Sequence, residues 1–360
     1  MDSEPGADLR PGVADCNEHS ATGRDSLSNR THPVTDPATP PHPSLSVVRA
    51  PADRAEDAMS ALLGAGPSAG VRFAAQARAA GISLDRIWCL ADTFGRYRAA
   101  VLAVRSAGRT TMLLATHPRD AADAAAIGRV VAAACESASE DTDLAQALVE
   151  PSRPLDIAAY EAGGLARLAT LDYLECPLGA AWKARRGTPE PAPTGWAFDP
   201  VDAAIDGDDP AALGDGLRAE LCSVLERSYL DTLDCPGLAG VRRTGDVLDG
   251  HFGSGARERI WLVARERGAA GAVCLLNASA DRGSAELVYL GVAREARGRG
   301  VARALLVEGM RRCADAGLRS VTLAVDARNA PARRLYDALG YTQTSSRVAL
   351  IRALRVDARR

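Results

Sequence analysis

SAELVYLGVAREARGRGVARALLVEGMRRCADAGLRSVTLAVDARNAPARRLYDALGY, residues 284 to 341, reads as strand, loop, helix, strand and helix in succession. The apolar run Leu287 to Val292 has strand character. It leads into a turn, Arg297-Gly298-Arg299-Gly300, that opens directly into a helical pattern at Val301. Glycines without bulk, followed at once by a helix start, aim several backbone N–H groups at one spot. Such a spot binds anions, phosphate above all.

Working outward, a chain of 360 residues has room for two domains. Its 47% hydrophobic and 25% charged residues are ordinary for globular protein. A formal net charge of −3 gives no overall attraction to nucleic acid or to an anionic membrane, so neither is expected as a partner. Eight cysteines lie scattered without a C-x-x-C pair, and the five histidines do not gather near them. Neither a metal site nor a disulfide framework is signalled. The N-terminus lacks a basic start followed by an apolar core, and no stretch of about 18 apolar residues occurs. A cytoplasmic protein is expected.

Residues 1–48 are polar and proline-rich, too poor in apolar side chains to offset ordering entropy, and are expected to form a disordered tail. Order is expected from about Arg54, through strands at Ile87 to Ala91, Ala99 to Val104 and Thr110 to Ala115. The segment 185–194, RRGTPEPAPT, combines charge with three prolines and reads as a linker. It divides a region 49–184 from a region 195–360. Beyond it, a strand near Trp196, a helix from about Ala211 to Tyr229 and strands at Arg259 to Ala264 and Ala272 to Asn277 precede the opening stretch.

The chain also repeats itself at a constant offset of 176 residues. Tyr160-Glu161-Ala162-Gly163-Gly164-Leu165 lies under Tyr336-Asp337-Ala338-Leu339-Gly340-Tyr341, Val149-Glu150 under Val325-Asp326, and Met112 to Leu114 under Val288 to Leu290. A register kept from strand to helix cap without a gap implies two copies of one domain. The copies are unequal. Under Arg297 to Gly300 the first has Ala121-Ala122-Asp123-Ala124, without glycine and with an acid that repels phosphate. Under Glu286 it has Thr110, which is no base near neutral pH.

With these residues in view, the second copy resembles the GNAT N-acetyltransferase superfamily, whose signature R-x-x-G-x-[GA] reads here Arg297-x-x-Gly300-x-Ala302. The resemblance extends through N-x-x-A-x-x-L-Y-x-x-L-G-[FY] at Asn329 to Tyr341, and more weakly back to about Trp196. It implies an α/β (α+β) fold: two GNAT-like domains, each a mixed, mostly antiparallel twisted sheet flanked by helices, the first degenerate. It also implies acetyl-CoA as acyl donor, its pyrophosphate wrapped by Arg297, Gly298, Arg299, Gly300, Val301 and Ala302. Leu290, Gly291 and Val292 would meet the pantetheine arm where two strands splay apart, with an N–H near Val292 facing the oxyanion. Glu286 corresponds to the base of some superfamily members, and Tyr336 to a tyrosine near the CoA sulfur that protonates the departing thiolate. No metal is implied.

Plainer readings stay open. Glu286 can be an exposed strand-end charge, Tyr336 a core aromatic on an amphipathic helix, and Asn329 a helix cap rather than a CoA contact. Tyr229, Asp231 and Asp234 place a phenol and two acids at a helix end, suited either to gripping a cationic amine or to closing a polar helix terminus. Cys235 has no paired histidine in view. Gly66-Pro67-Ser68-Ala69-Gly70 fits G-x-S-x-G, but a helical stretch precedes it where a nucleophile elbow needs a strand. Arg303 stands where a dinucleotide loop needs its last glycine, and no G-K-[ST] follows. The expectation is a tandem N-acetyltransferase acting on a primary amine of a small molecule or peptide. The alternative is a non-catalytic acyl-CoA-binding or regulatory module.

Overall fold

The computed structural model describes residues 45–186, 191–201, 210–252, 258–279 and 283–354. In the first half, β1 (Ser46–Arg49) is followed by α1 (Ala55–Leu63), α2 (Pro67–Ala79), β2 (Ile87–Ala91), β3 (Tyr97–Ser106), β4 (Thr110–Ala115), α3 (Ala121–Ala138), β5 (Leu144–Val149), α4 (Pro154–Ala162), β6 (Ala166–Pro177) and α5 (Ala180–Arg186). The second half runs β7 (Trp196–Pro200), α6 (Asp215–Tyr229), α7 (Thr244–Phe252), β8 (Glu258–Glu266), β9 (Ala269–Ser279), β10 (Ser284–Val292), α8 (Val301–Asp315), β11 (Ser320–Asp326), α9 (Ala330–Leu339) and β12 (Thr342–Ala353). The 176-residue offset recurs in the elements: β6 and β12 match at both ends, and β5 and β11 begin in step.

Two boundaries differ from expectation. The expected tail to residue 48 is too long, because Ser46-Val47-Val48-Arg49 pairs antiparallel with Trp88 to Ala91 and covers that edge of the sheet. Two β-branched valines give this short segment strand preference despite its polar surroundings. Residues 1–44 lie outside the described residues. Of the expected linker, Arg185 and Arg186 close α5, while 187–190 lie outside the described residues.

The twelve strands of the described residues join one mixed sheet in the order β1-β2-β3-β4-β5-β12-β6-β11-β10-β9-β8-β7. Only β4–β5 and β10–β11 run parallel; the other junctions are antiparallel. Helices flank the sheet, as the sequence implies. What the pattern does not reveal is the exchange at the centre. The last strand of each half lies against the other half: β12 pairs with β5, and β6 pairs with β11. The cores follow the exchange. Leu174, Cys176, Leu178 and Trp182 pack with Leu305, Leu323 and Tyr336, while Val348 and Leu350 pack with Val131, Ala147 and Tyr160.

Asp172 of β6 clamps this seam from a buried position. Its carboxylate accepts from Ser346 Oγ at 2.6 Å and Gln343 Nε2 at 3.2 Å, and pairs with Arg333 of α9. Removing one partner of a buried ion pair strands the other charge, so Asp172→Ala is expected to cost about 3 kcal/mol. Because each core borrows a strand, calorimetry of the whole chain should show one cooperative transition that this substitution lowers as a unit. Two separable transitions, with only one shifted, would contradict the exchange.

Candidate active site between two diverging strands

β10 and β11 pair over only three positions, from Ser284↔Ser320 to Glu286↔Thr322, and then part company. β4 and β5 do the same in the first half, from Thr110↔Leu144 to Met112↔Gln146. The halves differ in the strand beside the split. β10 carries an irregularity against β9, where Leu287↔Leu276 is followed by Tyr289↔Leu275 and Val288 is the extra residue. β4 follows β3 without interruption. A bulge bends its strand and takes one residue out of the ladder, a device common beside active sites.

The glycine turn lies beyond the C-terminal end of β10. Gly298 (φ 74°) and Gly300 (φ 76°) occupy the left-handed region that side chains disfavour, and a β-carbon built on either meets nothing within 4 Å. Gly300 is the N-cap of α8 and supplies no side chain to its first-turn N–H groups. The Val301 side chain is buried in the core and Ala302 is half-buried, so the turn's backbone is held from beneath. Both arginines of the turn are engaged by protein. Arg297 donates to the carbonyls of Ser228 (2.8 Å), Val292 (3.3 Å) and Asp231 (3.4 Å), tying the ends of α6 and β10 together. Arg299 pairs with Glu266, with Nη1 to Oε2 at 2.8 Å, and lies over the Trp196 ring at 5.2 Å. That hydrogen bond holds the Glu266 carboxyl below its ordinary range. Attraction for an anion at α8 therefore rests on the main chain and the helix dipole, with the guanidinium groups as framework.

The matching helix start in the first half is already satisfied. Asp120 is the N-cap of α3, and its side chain accepts from Asp123 N at 2.8 Å. Asp123 itself pairs with Arg119, whose hydrogen bond lowers the Asp123 pKa. Two carboxylates of the chain stand where a phosphate would have to approach.

Glu286 is exposed on the last rung where β10 and β11 still touch, and its charge reaches Tyr173 of β6. Leu290 and Val292 are half-buried at the split. Gly291 is buried, and a β-carbon there would meet Tyr289 Cε1 at 2.4 Å and Ser228 Oγ at 2.9 Å, so the absent side chain lets α6 close on β10. Tyr336 is buried on α9, with its ring 5.5 Å from that of Tyr341. Burial first, then the charge of Asp234, raises its pKa well above the usual phenol range, so it holds its proton. Asn329 caps α9 by accepting from Ala332 N at 3.3 Å.

The segment after α6 is latched down. Asp231 is exposed and pairs with Arg294 at 3.0 Å. Asp234 accepts from Asp326 N at 3.0 Å, and Cys235 N donates to the buried Asp326 carboxylate at 3.3 Å. Asp234 thus serves the fold at the end of β11, whereas Asp231 forms a surface ion pair. Burial pushes the Cys235 thiol up to about 12, which leaves it protonated and no nucleophile. The Tyr229 ring meets Tyr289 edge-on at 6.0 Å, and its buried hydroxyl has no partner among the described residues. Tyr289 carried no motif in the sequence, yet its hydroxyl shares a 2.7 Å hydrogen bond with Ser228 and its ring lies 5.3 Å from His251. Pro67 opens α2 directly after α1, so the G-x-S-x-G stretch forms no nucleophile elbow. Among the described residues no group of three or more His, Cys, Asp or Glu could hold a metal ion, and no helix is long and apolar enough to cross a membrane.

Residues 231–341 match the model of the acetyltransferase (GNAT) family. Over 58 residues, 16% of this chain, it is 45% identical to mycothiol acetyltransferases of Arthrobacter sp. (strain FB24) and Pseudarthrobacter chlorophenolicus; the match spans 18% of the length of those relatives. Among solved structures, a GCN5-related N-acetyltransferase from Sphaerobacter thermophilus superposes with a TM-score of 0.50 at 19% identity, over 87% of this chain and 96% of that one. A glucosamine N-acetyltransferase region of a fungal multi-domain GH3 beta-N-acetylglucosaminidase gives 0.51 at 15% identity, over 86% of this chain and 38% of the other. At these identities the structural likeness speaks for the fold alone. The glycine turn, the uncapped helix and the split strands all lie inside the segment that matches the acetyltransferase (GNAT) family model.

Proposed function

We propose that the second half transfers an acetyl group from acetyl-CoA to a primary amine of a small molecule or peptide in the cytoplasm, and that the first half is a degenerate copy without a donor site. The observation that carries this reading is the uncapped start of α8 behind an open glycine turn, beside strands that have parted. The fit to the donor is chemical. First-turn N–H groups of α8 with Gly298, Arg299 and Gly300 suit a pyrophosphate, and the parted edges at Leu290, Gly291 and Val292 offer backbone groups to an amide-bearing arm. Asn329, at the start of α9, flanks the same opening. Acetyl-CoA supplies an activated thioester carbonyl when bound.

The chain's own residues handle the protons and the charge. A backbone N–H at Val292 faces the carbonyl oxygen as negative charge develops on it. Glu286 removes a proton from the incoming ammonium, directly or through water, because only the free amine is nucleophilic. Tyr336 retains its phenolic proton and can pass it to the departing sulfur. The acceptor enters from the side of α6, near Tyr229, with Asp231 and Asp234 fixing the loop that borders it.

Gly300→Glu places a carboxylate and a strained φ where the pyrophosphate would lie. Titration calorimetry should show acetyl-CoA affinity reduced by about 100-fold or more. Unchanged affinity would remove the phosphate site. Glu286→Gln should lower kcat by about 100-fold with acetyl-CoA Kd preserved. A rate within about twofold of wild type from about pH 6 to 9 would exclude the base role. CoA release in the presence of amines separates transfer from mere acyl-CoA binding.

A further inference from the structure

Four buried side-chain atoms around the Tyr289 ring lack a hydrogen-bond partner among the described residues: Tyr229 Oη, Arg242 Nε, Asp246 Oδ2 and His251 Nε2. Unpaired buried polar groups are uncommon because each forfeits its hydration, and four in one place call for an explanation. They come from the end of α6, the loop after it, and α7. They also belong together. Tyr229 and His251 both pack on the Tyr289 ring, one residue past the β10 bulge. Arg242 lies within electrostatic reach of Tyr229, Asp246 and His251. Burial beside Arg242 keeps the His251 imidazole neutral, with its pKa lowered to about 4.

The first half holds this group in place. Arg242 Nη2 donates to the Asp246 carbonyl at 3.2 Å and to the Gly108 carbonyl at 2.9 Å, in the turn between β3 and β4. A β-carbon on Gly108 would meet Asp246 O at 2.2 Å and Gly250 N at 2.9 Å, so α7 leans on that turn without room for a side chain.

Resting on the transferase reading above, we infer that Tyr229, Arg242, Asp246 and His251 recognise the body of the acceptor, and that this body is a net-neutral amine carrier rich in both hydrogen-bond donors and acceptors. The charge balance selects that class. A guanidinium and a carboxylate, each with an atom to satisfy, offset one another. An anionic body would satisfy Arg242 and be repelled by Asp246, and a polycation would meet the reverse. Hydroxyl or amide groups satisfy both, together with the phenol and the neutral imidazole. On this account the Gly108 turn makes the silent first half a positioning element for the acceptor.

Tyr229→Phe and Asp246→Asn test this with three measurements. Groups that serve the fold lose stability when removed, whereas unpartnered groups reserved for a ligand do not. Without acceptor, both variants should melt at or above the wild-type temperature and keep their acetyl-CoA Kd. The wild-type chain should acetylate galactosamine and serinamide in preference to spermidine and glutamate. Each variant should raise KM for the neutral amines by about tenfold or more with a smaller change in kcat. Gly108→Ala, which pushes on Arg242, should raise the same KM and leave acetyl-CoA binding alone. A lower melting temperature with unchanged KM overturns the inference, as does preference for spermidine or glutamate, or inactivity towards both neutral amines. Failure of the wild-type chain to bind acetyl-CoA would sink the transferase reading as well, which keeps the two failures apart.

Discussion

The opening N–H groups of an α-helix have no partner within the helix, and something must answer them. The two halves of this chain answer differently. α3 is closed by its own acids, with Asp120 accepting from Asp123 N and Asp123 held by Arg119. α8 begins behind Gly300 with no side-chain cap, and the turn before it is bare on the open side. Around that difference the rest is arranged: β10 and β11 part after Glu286, Arg297 draws α6 and the end of β10 to the turn, and Arg299 braces it against Glu266.

The exchange of β6 and β12 ties the two halves together around the split. β6 is the strand next to β11, so the wall of the split opposite β10 is backed by the first half. The Asp172 clamp and the mixed cores make the halves interdependent. The Gly108 turn extends that dependence to α7, beside the four unpaired polar atoms. The strands and turns of the first half are thereby under packing constraint from the second.

Local features were legible in the sequence where local physics decides them. The start of α8 at Val301 and the whole of β2 and β4 fall where glycine punctuation and apolar periodicity place them. The unequal loops at Arg297 to Gly300 and Ala121 to Ala124 told the two helix starts apart for the same reason. Pairing partners are another matter: nothing in the twelve residues of β12 says that β5 will be their neighbour, because a register between distant segments has no local signature. Arg297 looked like a phosphate ligand and turned inward to three carbonyls, a choice set by the distant end of α6. Asp231 and Asp234 looked like a cationic grip and are engaged by Arg294 and by Asp326 N. Arg242, Asp246 and His251 carry no motif. Their signal is one buried side-chain atom each, Arg242 Nε, Asp246 Oδ2 and His251 Nε2, without a partner among the described residues, which only the packed chain displays.

Amide hydrogen exchange with and without acetyl-CoA tests the central claim most directly, because it reads the main-chain groups themselves. The amides from Gly298 to Arg303 should become protected on addition of acetyl-CoA, while those from Ala121 to Ile127 at the start of α3 stay unchanged. Protection at α3, or none at α8 under saturating ligand, would contradict the account.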